Sequence, residues 1–82
     1  MRAAAEWIGS IGVSLLLLAF FLNLTGRLAR EGRPYAAANA LGGALACASA
    51  WMIGFLPFVI LEGTWAVFAL VALLRPRRSP TA

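Results

Sequence analysis

All seven basic residues of this 82-residue chain are arginines, and all of them stand outside three long apolar runs. That exclusion constrains the fold more than any motif does. A water-soluble chain this short struggles to bury enough surface to be stable. In lipid the requirement changes: apolar side chains need no protein cover, but backbone polar groups must be satisfied internally, which runs of this length achieve as helices. The sequence therefore predicts an all-α fold, an integral membrane three-helix bundle in one transmembrane domain over residues 1–82. The expected spans are about 7–28, 35–54 and 57–74, followed by a basic tail at 75–82.

Composition agrees, with 62% hydrophobic residues, 12% charged residues and a mean hydropathy of +0.87. The net charge of +4 does not imply nucleic acid, because the arginines flank apolar runs instead of lining one face of a folded module. They read as a topology signal with affinity for anionic lipid. The single cysteine, Cys47, forbids an intrachain disulfide. With no histidine, one cysteine and three scattered glutamates, one chain assembles no ordinary metal site, and no cofactor is expected. No nucleophile with a neighbouring base and no acid–base pair stands out, so an enzyme is not expected either.

The first run begins like a signal peptide, MRAAAEW and then apolar residues. It is longer than a signal h-region and lacks an A-x-A-like cleavage site before Gly26, which makes it a retained span. Gly9, Gly12, Leu16, Ala19, Asn23 and Gly26 recur at steps of three or four and form a small-residue seam of the kind membrane helices pack through. In span two, Gly42, Ala46 and Ala50 make one row and Asn39, Gly43 and Cys47 the adjoining one, which suits a central helix between two neighbours. Phe55, Leu56 and Pro57 then turn the chain, with proline at the start of the third helix where its missing N–H costs nothing. Six arginines (27, 30, 33, 75, 77 and 78) fall on one side and Arg2 alone on the other. The N-terminus is thus expected outside and the C-terminus in the cytoplasm.

Polar residues inside such spans are costly and mark function or helix pairing. Asn23 and Asn39 each sit about four residues inside the expected cytoplasmic boundary, at similar depth, so they can meet. Glu62 lies in the opposite half, level with Ser49 and within reach of Ser10 or Ser14, and no arginine shares its depth. A carboxyl so placed is either hydrogen-bonded between helices in its neutral form or reached by water as a substrate or proton site. Trp65, Ala66, Ala69 and Leu73 continue its helix face as a seam. The substrate-path candidates are Glu62, Asn23, Asn39, Trp65 and Ser49, and the helix-packing candidates are Gly12, Gly42, Gly43 and Ala46.

GSIGVSLLLLAFFLN, YAAANALGG and LPFVILEGTW together resemble a family of small three-span bacterial membrane proteins of unassigned function, some loosely labelled permease. A more distant likeness is to the SemiSWEET sugar transporters of the PQ-loop group, three-helix units that dimerise around a substrate path. Leu56 and Pro57 match the Leu-Pro pair that opens their third helix, and Glu62 stands where they carry a sugar-contacting asparagine. The Pro-Gln pair of their first helix is Asn23 and Leu24 here, and the tryptophan of their second is Ala46. The resemblance implies a bacterial inner-membrane protomer that homodimerises to move a small polar solute or ion, and the small-residue face of span two, at Gly42 and Gly43, is the interface expected from helix packing. The rival expectation is a non-transporting scaffold or accessory subunit.

Overall fold

The computed structural model describes residues 2–75. It consists of three helices, α1 (Arg2–Leu24), α2 (Arg33–Met52) and α3 (Leu56–Leu74). The all-α expectation holds, and the third helix ends at Leu74 as expected, but the other boundaries differ from those read off the apolar runs. α1 starts five residues before Trp7 because Arg2, the alanines and Glu6 are good helix formers that hydropathy does not register. It stops four residues before Leu28 because Gly26, at φ +81°, ends it in a Schellman motif. The Arg27 N–H bonds the Leu22 carbonyl at 2.9 Å and the Gly26 N–H bonds that of Asn23 at 3.1 Å.

α2 closes the same way, with Gly54 at φ +74° and the Phe55 N–H on the Ala50 carbonyl at 3.0 Å. Its start at Arg33 and that of α3 at Leu56 both place a proline, Pro34 or Pro57, in the first turn. Of the basic tail expected at 75–82, all but Arg75 lies outside the described residues.

α2 is the central element. α1 packs along one of its sides and α3 along the other, and among the described residues α1 and α3 do not approach each other. The protein measures 23 Å by 15 Å across its two shorter directions, the shape of an open layer about one helix thick rather than a closed three-helix bundle. Close approach is made possible by missing side chains. A Cβ on Gly12 would lie 2.7 Å from the Gly42 carbonyl oxygen, and one on Gly42 would lie 2.8 Å from that of Gly12. On the other side of α2, a Cβ on Gly43 would lie 3.2 Å from that of Ala66.

Gly42, Gly43 and Ala46 are thus buried against neighbours in the same chain. This corrects the expectation that the small-residue face of span two joins two protomers: that face is already consumed within one.

The outward faces are apolar. Trp7, Leu24, Phe68 and Leu74 are each about 70% exposed, and α3 buries no residue. An uncovered apolar surface of this extent marks membrane or partner contact. α1 and α3 are both long and apolar enough to cross a membrane. α2 matches them in length but not in hydropathy, its glycines and alanines trading transfer energy for close packing.

Candidate solute groove

Because α1 and α3 stand apart on either side of α2, they leave a groove whose floor is α2. At the end of the molecule that holds the start of α1 and the α2–α3 turn, this groove has a volume of about 480 Å³, within the range of small-molecule sites. Glu6, Ser10 and Ser14 line it from α1, Ser49 and Ala50 from α2, and Phe58 and Glu62 from α3. The sequence expectation that Glu62 shares a depth with Ser49, Ser10 and Ser14 is met in that all four open onto one space. Glu62 is partly buried and makes no hydrogen bond among the described residues.

Ser49 is held in place. Its Oγ donates to the Ala5 carbonyl at 2.6 Å, linking α2 to α1. Gly9 makes that reach possible, since a Cβ there would lie 2.6 Å from the same Oγ. One small residue thus fixes both the width of the groove and the direction of one of its hydroxyls.

The other candidates lie elsewhere. Asn39 is buried on the α2–α3 seam, where its Nδ2 donates to the Tyr35 carbonyl at 2.8 Å and its Oδ1 accepts from Trp65 Nε1 at 3.0 Å. Asn23 instead donates to the Leu28 carbonyl at 2.9 Å, bracing the turn after α1. The expected meeting of Asn23 and Asn39 is therefore corrected. The Schellman ending of α1 draws Asn23 into its own connector, and Asn39 finds the indole instead. Neither these two nor Trp65 lines the groove.

Three contributors, Glu6, Phe55 and Phe58, escaped the sequence reading. Glu6 sits four residues before Ser10 and eight before Ser14, a polar row on one helix face that was legible at the i, i+4 spacing. Phe55 and Phe58 form a tilted ring pair with centroids 5.1 Å apart at the groove's α3 side. The short turn at Pro57 brings them there. No group of three His, Cys, Asp or Glu residues able to hold a metal ion occurs among the described residues.

The fold and the groove together define a small all-helical protein with two helices of membrane-crossing length and a carboxylate-bearing cleft between them. The chain belongs to an uncharacterised protein family, whose sequence model it matches over residues 5–80. No curated protein and no solved structure matches it.

Proposed function

We propose that this chain is a three-span protomer of the bacterial inner membrane, with its N-terminus outside, that pairs with a second copy to move a small polar solute or ion along the groove. Glu62 is its gate or proton-linked site. The observation that carries this reading is that Glu62 shares an open groove with three hydroxyl residues, yet its carboxylate has no hydrogen-bond partner among the described residues. A glutamate that only fastens helices together would be bonded as Asn39 is, since an unmet polar group in an apolar setting is costly. The flat layer supports pairing, because a second copy laid over the groove would enclose it without new folding. The Leu56–Pro57 start of α3 and the place of Glu62 after it fit the half-unit logic of SemiSWEET proteins, although the solute differs if the carboxylate contacts it.

The test is uptake by purified protein in liposomes, measured with melting temperature from pH 5 to 8. Among the described residues the charged groups lining the groove are Glu62 on α3 and Glu6 on α1, with none from α2, so any pH dependence is apportioned by changing each glutamate separately. Glu62→Gln should preserve assembly and melting but abolish pH-dependent uptake, because an amide does not titrate. Unaltered, still pH-dependent uptake by that variant removes Glu62 from the mechanism, and absence of uptake by the parent across sugars, amino acids and cations favours an accessory subunit instead.

A further inference from the structure

The lining of the groove narrows the class of solute. Among the described residues its charged groups are both acidic, Glu6 and Glu62, with no arginine beside them in the lining. Among the described residues Glu6 pairs with Arg2, at the 4.0 Å limit of an ion pair, and both side chains are mostly exposed. Such a pair holds its members weakly, so Glu6 is free to take another cation.

Apart from the hydroxyls of Ser10, Ser14 and Ser49, the rest of the described lining is apolar and includes Phe55 and Phe58. Aromatic faces attract ammonium groups within about 6 Å of the ring centre. A hard metal ion would instead need some six oxygens packed around it, and the groove offers scattered hydroxyls among alkyl and aromatic groups. A neutral sugar would leave the two carboxylates without a counter-charge.

We propose that the groove takes a small alkylammonium cation, with its charge on the Glu6 and Glu62 carboxylates and its alkyl groups on Phe55 and Phe58. This rests on the reading of the groove as a solute site and deepens it by naming the solute class.

The probes are choline, its neutral isostere 3,3-dimethylbutanol, and glucose, each titrated calorimetrically into the full chain in lipid nanodiscs. Choline should bind at least tenfold more tightly than the alcohol. Glu62→Gln should weaken choline at least tenfold and leave the alcohol unchanged, and Glu6→Gln, at an exposed position that does not threaten folding, should weaken choline several-fold. Equal binding of choline and the alcohol, or loss of both in Glu62→Gln, overturns the cation assignment. Glucose binding that depends on Glu62 while choline does not bind overturns it too, but leaves the solute-site reading standing. If no probe binds and the parent takes up nothing in liposomes, the solute-site reading itself falls.

Discussion

Single residues in this protein act mostly by what they lack. Gly12 and Gly42 let two helix backbones touch, and the nearest obstacle to a Cβ on either is the other's backbone carbonyl, which cannot yield as a side chain could. Gly12→Ala must therefore push α1 off α2, at about 1–3 kcal/mol if the strain follows core overpacking. Gly63 is different: a Cβ there would meet only the Cys47 sulfur at 3.5 Å, an ordinary contact. Gly63→Ala should melt at or slightly above the parent, since alanine is the better helix former by about 1 kcal/mol. Thermal melting of the two variants in the same detergent checks the contrast, and a Gly63→Ala loss as large as that of Gly12→Ala would show that the α2–α3 seam is tighter than described. The same argument makes Gly9 and Ser49 one unit, because a methyl at Gly9 would displace the hydroxyl that bonds the Ala5 carbonyl.

At the scale of elements, α3 has no buried residue and is fastened to α2 by a shallow seam and, among the described residues, two polar links: Trp65 Nε1 donates to Asn39, and the Cys47 thiol donates weakly to the Val59 carbonyl at 3.6 Å. Trp65→Phe keeps the ring but leaves the buried Asn39 oxygen unmet, which should cost about 0.6–2 kcal/mol. The double change Trp65→Phe with Asn39→Leu removes the orphan as well as its donor and should recover part of that loss. A double variant less stable than both single ones would mean that Asn39 serves α2 through Tyr35 alone. The sequence displayed the helices themselves, because apolar length is read directly from residue order, and it placed α2 in the centre from its two small-residue rows. It misplaced the helix ends, since Gly26 and Gly54 act through backbone φ and not through hydropathy. It paired Asn23 with Asn39 by depth alone, whereas depth along a helix says nothing of rotation about it or of what the next turn offers. Glu62, Ser10, Ser14 and Ser49, grouped by depth, do line one groove, but no hydrogen bond joins Glu62 to any of the three among the described residues.

For the molecule as a whole, the decisive fact is that its two ends differ in charge. The groove lies at the end shared by the start of α1 and the α2–α3 turn, with Glu6, Glu62 and Arg2 near it. The opposite end carries Arg27, Arg30 and Arg33 in and beside the α1–α2 connector, and Arg75 where α3 stops. Excess arginine is retained on the cytoplasmic side of a membrane, so the groove should open outward and meet its solute from outside the cell. Two single-cysteine variants, Ala4→Cys and Ala29→Cys in a Cys47→Ala background, place a thiol at an exposed position of each end. An impermeant maleimide should label the first in intact cells and the second only after permeabilisation. The reverse pattern would turn the groove toward the cytoplasm, make any transport run from an inward-facing cleft, and overturn the orientation drawn from the arginines. Equal labelling of both would mean that the chain inserts in two orientations, in which case pairing of oppositely inserted copies replaces the parallel dimer.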